Sequence, residues 1–146
     1  MKLAKLLLPA LLPLLCSQAF AGAFNVAPVS IDFENQTASG NLIAARASES
    51  PHERIGCAVG YGNLVGHFAY CEATDADDND IACITYDAGM IDTIASINTF
   101  SFVFFRWEEG HSLPPGFELC THVTVATRSI HIPQKIELEM DLETFD

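Results

Sequence analysis

Positive charge is what this chain has least of: 7 lysines and arginines stand against 19 aspartates and glutamates in 146 residues, a formal net charge of −12. Such a surface repels phosphate backbones and anionic headgroups, which argues against nucleic acid and charged membranes as partners. No linker-like or repetitive stretch divides the chain, so one domain is expected. No Cys-x-x-Cys pair occurs, the closest cysteines being Cys71 and Cys83, twelve positions apart, and the usual zinc spacing is thereby lost. There is no Gly-x-Ser-x-Gly elbow either. The long apolar run, residues 6–15, is about half the roughly 20 residues that span a bilayer, and Pro9 and Pro13 interrupt it. No transmembrane segment is expected.

That run has another use. Lys2 and Lys5 precede it, and Ala19 and Ala21 follow with the small side chains that signal peptidase requires, so residues 1–21 read as an export signal. Cleavage after Ala21, with Ala23 as the alternative, leaves residues 22–146 as a single domain. A lipid anchor at Cys16 is disfavoured because Leu14 and Leu15 are too bulky for a lipobox. Loss of Lys2 and Lys5 takes the formal charge from −12 to −14. The mature protein is expected to be secreted or periplasmic.

Four cysteines remain after cleavage, Cys57, Cys71, Cys83 and Cys120, and an even count in an exported chain predicts two disulfides. Three connectivities are open. We expect Cys71 with Cys83, which flank an apparent hairpin, and Cys57 with Cys120. On the chain-entropy model the short loop stabilises by about 3 kcal/mol and the long one by about 4 kcal/mol.

The most aromatic and β-prone run, residues 99–107, reads as a central strand. Phe100, Phe102 and Phe104 fall on one face and Val103, Phe105 and Trp107 on the other. Upstream, Met90, Ile91, Ile94 and Ile97 recur at helical spacing behind Asp87 as N-cap, predicting a short helix that covers this strand. Val26, Val29, Ile31 and Phe33 suggest an edge strand before Asn35-Gln36-Thr37, which also matches a glycosylation sequon. Residues 41–48 and 54–61 read as a hairpin, and residues 67–74 and 80–86 as a second one around an acidic loop. Residues 108–117, with Gly110, Pro114, Pro115 and Gly116, form a loop, and residues 119–132 a long last strand. Residues 136–142 alternate as an edge strand or frayed tail. The fold class expected is α+β: a mainly antiparallel sheet of five to seven strands with one short helix packed on it.

The sharpest local signal is residues 75–80. Asp75, Asp77 and Asn79 alternate like the opening of a calcium loop, making calcium the candidate cofactor. The sixth position is Asp80 where an EF-hand needs glycine and the twelfth is Tyr86 where it needs glutamate, so an EF-hand is excluded and a looser site or a solvated turn is left. Arg46 and Arg106 each sit in an apolar stretch, where a salt bridge or an anionic ligand would satisfy them. His122 and His131 are nine apart, on opposite faces of one strand unless a bulge intervenes. Adjacent Glu108 and Glu109 point opposite ways, which does not make a facing acid/base pair.

Ala44-Ala45-Arg46-Ala47-Ser48, Ile55-Gly56-Cys57, Cys71-Glu72-Ala73, Cys83, the aromatic strand, and Cys120 with Val123, Val125, Ser129 and Pro133 together resemble a family of small exported bacterial proteins of no assigned function. The resemblance covers residues 40–133 and implies a bacterial, single-domain protein with a shared cysteine framework; it transfers no catalytic residue. The chain departs from the pattern in a fuller acidic loop and in residues 111–119, which replace a tight turn. The function expected is an extracytoplasmic binding or structural interaction module for a protein or small-molecule ligand, with a cation assisting. A secreted hydrolytic enzyme is the alternative, and an inhibitor of a secreted enzyme, presenting residues 111–117, is a third.

Overall fold

The computed structural model describes residues 26–109 and 113–131. Along the chain run β1 (Ser30–Asp32), β2 (Thr37–Asn41), α1 (Leu42–Arg46), β3 (Arg54–Gly62), β4 (Gly66–Thr74), β5 (Asp80–Thr85), α2 (Ala88–Ile94), β6 (Phe102–Glu108), β7 (Glu118–Ala126) and a 3-10 turn, Ser129–His131. The strands form one seven-stranded sheet in the order β1-β2-β6-β7-β5-β4-β3. Neighbours are antiparallel except β5 and β7, which are parallel. This is the α+β architecture expected, at the upper end of the strand count. The segments expected at residues 1–21, 110–112 and 132–146 lie outside the described residues.

β6 is central, as its composition predicts. Val103, Phe105 and Trp107 are buried on the inner face, while Phe102 and Phe104 are half-buried on the other. Ala38 stands opposite Phe105 in the register of β2 with β6, a small residue leaving room for a large one on the same face. Between Arg106 and Trp107 the pairing with β7 shifts, leaving Thr121 as the extra residue of a bulge. The bulge turns both Cys120 and Val123 inward, although they are three apart.

The two ends of the sheet curl towards each other, so that β2 meets β3 and β1 meets β4 across the core. Gly40 makes this closure feasible. A Cβ there would lie 3.1 Å from the Val29 Cα and 3.3 Å from the Ile55 Cγ2. α1 bridges the same gap, touching both β2 and β3. α2 begins at Asp87, whose carboxylate accepts the Met90 N–H at 2.9 Å, as expected of an N-cap. It lies chiefly against β7, β4 and β3, rather than over β6 as expected.

Three local expectations are corrected. Residues 41–48 do not form a strand: β2 ends at Asn41, and Leu42, Ala44, Ala45 and Arg46, all good helix formers, wind into α1. The expected hairpin of residues 41–48 with 54–61 is therefore absent. β3 pairs instead with β4 from Arg54↔Thr74 to Gly62↔Gly66, through a turn closed by the Val65 N–H on the Gly62 carbonyl. Gly66 adopts φ +76°, a backbone region that glycine enters freely. The last strand stops at Ala126, and His131 falls in the 3-10 turn.

The hairpin of β3 with β4 also overturns the expected disulfides. Cys57 bonds Cys71 and Cys83 bonds Cys120, with Cα separations of 4.0 and 5.0 Å. Cys71 has Cys57 opposite it on one side and Cys83 on the other. The expected bridge of Cys71 with Cys83 thus joins register neighbours that are not bonded to each other.

Candidate functional site

Each of the arginines that the sequence singles out lies in a polar groove. The larger, about 540 Å³, lies between the end of α1, the loop of residues 47–53 and the start of β3; Arg46, Ser48, Ser50, His52, Glu53 and Arg54 line it with Leu42 and Ile55. Short polar side chains organise the loop. The Ser48 hydroxyl accepts the Ser50 N–H at 3.1 Å and the Ser50 hydroxyl accepts the His52 N–H at 3.4 Å, side-chain turns typical of serine.

Glu53 ties this loop to the rest of the molecule. One carboxylate oxygen accepts the Val29 N–H at 2.7 Å, and the other accepts the Ser48 hydroxyl. A half-buried carboxylate so engaged joins the segment before β1, the exit of α1 and the start of β3. Sequence reasoning missed it, because these residues read as a plain hairpin connection; the Ser48-x-Ser50 spacing ahead of Pro51 is the signal that marks a structured loop.

The basic groups differ in what they face. Arg54 reaches Asp80 at 3.1 Å and Glu72 at 4.0 Å, across the row of β3, β4 and β5, and the Thr74 hydroxyl donates to the same Asp80 oxygen at 2.9 Å. Arg46 is exposed at the last position of α1 and has no ion pair among the described residues. The expectation of an apolar strand around it is corrected, since helix formation carries it to the surface. With its guanidinium unpaired among the described residues and His52 lining the same groove, Arg46 suits a carboxylate or phosphate gripped by two parallel hydrogen bonds.

The second groove, about 380 Å³, runs over the outer face of β6 and β7 and is lined by Phe104, Arg106, Glu108, Thr121 and His122. Arg106 is exposed, opposite His122 on β7 and Thr37 on β2, and it too has no ion pair among the described residues. His122 stands edge-on to Phe104 at 5.9 Å, and its Nε2 lies 2.9 Å from the Thr124 hydroxyl. His131 stacks on Phe102 at 5.5 Å. The two histidines therefore flank outward aromatics of the same strand, contrary to the opposite faces expected, because the chain leaves β7 before His131. The structure puts Arg46 and Arg106 in separate grooves and does not bring them together.

Asp75, Asp77 and Asn79 sit at the turn between β4 and β5. The buried Asp75 carboxylate accepts the Asp77 and Asn79 N–H groups, each at 3.0 Å, and the Asn79 side-chain amide at 2.9 Å. Asp78 completes the turn at φ +62°. Asp77 is exposed. No group of three or more histidine, cysteine, aspartate or glutamate side chains placed to hold a metal occurs among the described residues. In the proline loop, Phe117 turns back through its N–H to the Pro114 carbonyl at 3.2 Å and packs edge-on to Tyr70 at 5.9 Å.

Among the described residues, the Asp32 carboxyl is displaced from its ordinary range. The Asn35 side-chain amide, 2.6 Å from Asp32, lowers the Asp32 pKa below 3.8, and the Asn35 N–H at 2.9 Å adds to the effect. Among the described residues no helix is long and apolar enough to cross a membrane. No family model, curated protein or solved structure matches the chain, so the grooves are read from their own chemistry.

Proposed function

We propose that this protein is an exported, extracytoplasmic binding module that takes a small anionic ligand, a carboxylate or a phosphate, in the groove between α1 and β3. The observation that carries this reading is Arg46, an arginine without an ion pair among the described residues, which lines with His52 the groove between α1 and β3 of a strongly acidic protein. Glu53 lines the same groove, but its oxygens are turned onto Val29 and Ser48, and Arg46 lines the groove as an exposed residue. An acidic surface around a groove that carries an unpaired arginine favours small anions that reach it over large polyanions, which the surface repels. Two disulfides fit an oxidising compartment.

The hydrolytic alternative needs an imidazole oriented by a carboxylate and set against a hydroxyl. The nearest arrangement is His122 with Thr124, exposed on an open sheet face, with Glu108 in the groove but not hydrogen-bonded to the ring. The binding reading needs no such constellation. A cation role for the acidic loop is a separate reading, tested in the same experiment.

The test is a thermal melt of the oxidised protein in phosphate, in citrate and in calcium, each against an inert salt at equal ionic strength. An anion at a hundredfold over its dissociation constant adds about 2.7 kcal/mol. The expected result is a rise in Tm with phosphate or citrate that Arg46→Gln abolishes and Arg106→Gln leaves intact. The reverse pattern moves the site to β6 and β7, and no rise with either anion removes the proposal. A rise specific to calcium, lost in Asp77→Ala, would support the cation reading.

A further inference from the structure

Cys57, Cys71 and Cys83 lie in one register row across β3, β4 and β5, and Cys120 stands on the neighbouring β7, two residues beyond the register partner of Cys83. Cys57 and Cys71 are register partners and bonded; Cys71 and Cys83 are register partners and not bonded; Cys83 and Cys120 are bonded. Residues directly opposite in antiparallel strands project to one face with their Cβ atoms about 4.5–5.5 Å apart, within reach of sulfur–sulfur contact after a rotamer change. The row is graded in burial. Cys71 and Cys83 are 0% exposed and Cys120 is 1% exposed, whereas Cys57, on the edge strand β3, is half-buried.

We infer that Cys57 is a site of covalent modification by small thiols, and that its opening is relayed inward through Cys71 to Cys83 and Cys120. In the first step an external thiolate attacks the Cys57 Sγ and forms a mixed disulfide. The bond of Cys57 with Cys71 breaks, and Cys71 leaves as a thiolate. In the second step that thiolate attacks the Cys83 Sγ, a new Cys71–Cys83 disulfide forms, and Cys120 leaves as a thiolate, taking up the proton given by the incoming thiol. One disulfide bond is made for each one broken in both steps, so no electrons are gained or lost, and no reductant beyond the thiol is required. The free thiol ends at Cys120, opposite Trp107, rather than at the cysteine displaced first. Both steps need a thiolate as the attacking group, so the relay runs faster at mildly alkaline pH.

Attack at Cys57 is dictated by access, since the other three sulfurs belong to buried residues that pack with Ile94 of α2 in one core cluster. Disulfide exchange depends on which sulfur a nucleophile reaches as well as on thiolate fraction. A bridge with one half-buried end, joined to a fully buried bridge through register neighbours, gives the chain two covalent isomers with the same strand pairing.

The test is incubation of the folded oxidised protein with reduced glutathione at pH 8, an acid quench, alkylation, and a non-reducing peptide map, with circular dichroism confirming that the fold persists. The expected products are Cys57 carrying glutathione, a Cys71–Cys83 crosslink, and the alkyl label shifted from Cys71 to Cys120 as time passes. A label that stays on Cys71 with the Cys83–Cys120 bond intact overturns the relay, and glutathione found on a cysteine other than Cys57 overturns the entry site. The variant Cys57→Ser leaves Cys71 free without any added thiol. A time-dependent gain of the Cys71–Cys83 bridge in that variant supports the relay, and its absence refutes it. Should Cys57→Ser not fold, the glutathione experiment on the unaltered protein decides alone.

Discussion

Glu53 is the residue whose replacement tests the architecture of the groove most directly. Its carboxylate accepts the Val29 N–H at 2.7 Å and the Ser48 hydroxyl, so that one side chain holds three segments distant in sequence. A hydrogen bond to a charged group contributes about 1.5–3 kcal/mol, and the half-burial of Glu53 places both bonds near the lower figure. Glu53→Ala should therefore cost about 3 kcal/mol. Glu53→Gln keeps an oxygen for the Val29 N–H and lets the Ser48 hydroxyl turn to accept from the new amide, so about 1 kcal/mol is expected. At about 4 °C per kcal/mol for a domain of this size, the two variants should lower Tm by about 12 and about 4 °C. Urea unfolding gives the free energies, and an unchanged m-value would show that the difference lies in the folded state. Hydrogen exchange supplies a local readout, because the Val29 amide should lose protection in the alanine variant and keep most of it in the glutamine variant. Equal losses for the two variants, or a loss below about 0.5 kcal/mol for alanine, would refute the clamp as the link between these segments.

Two further outcomes follow from single residues. Asn41 is 1% exposed, and neither its side-chain oxygen nor its nitrogen has a hydrogen-bond partner among the described residues, a desolvated amide worth about 1–3 kcal/mol of lost stability; Asn41→Leu, with the same branching at Cγ, should raise stability by about 1 kcal/mol in urea unfolding, and a decrease would show that the amide is satisfied in solution. Asp32 has a folded pKa below 3.8 and contributes stability that is present above its unfolded value and lost as pH falls through the lowered folded value. A carboxyl titration by NMR should place Asp32 below 3.8 and Asn35→Ala should move it back up, whereas a native Asp32 titrating at or above 3.8 would contradict the assignment of Asn35 as the cause.

Much of the scaffold is legible in local pattern. Alternation along residues 99–107 picks out Val103, Phe105 and Trp107 as one face, and those are the side chains that the core buries. Asp87 ahead of helical spacing marks the start of α2, because a carboxylate at that position satisfies an orphan N–H wherever the helix packs. The turn around the acidic loop is equally local, with Asp75 bonding its own neighbours. Residues 41–48 misled for a physical reason: Leu42, Ile43, Ala44 and Ala45 are apolar in a run too short for periodicity to separate a buried strand from a buried helix, and contacts of α1 with β2 and β3 settle the matter.

The candidate sites divide along the same line. Arg46 and Arg106 are noticeable in sequence as rare cations, but whether they meet a carboxylate depends on which strand lies alongside, and Arg54 is the one that Glu72 and Asp80 reach. His52 and Glu53 become part of a groove only through the curl that carries α1 onto β3.

What the amino-acid sequence determined by itself is the class of fold, the central strand, the cap of α2 and the presence of two disulfides, each set by side chains within a few residues of one another or by an even cysteine count. Tertiary structure alone decided that β7 enters between β5 and β6, that Cys57 pairs with Cys71 and Cys83 with Cys120, and that Arg46 opens onto a groove. Those outcomes depend on register between strands far apart in sequence, and register is selected by the burial of a whole face at once rather than by any local run of residues.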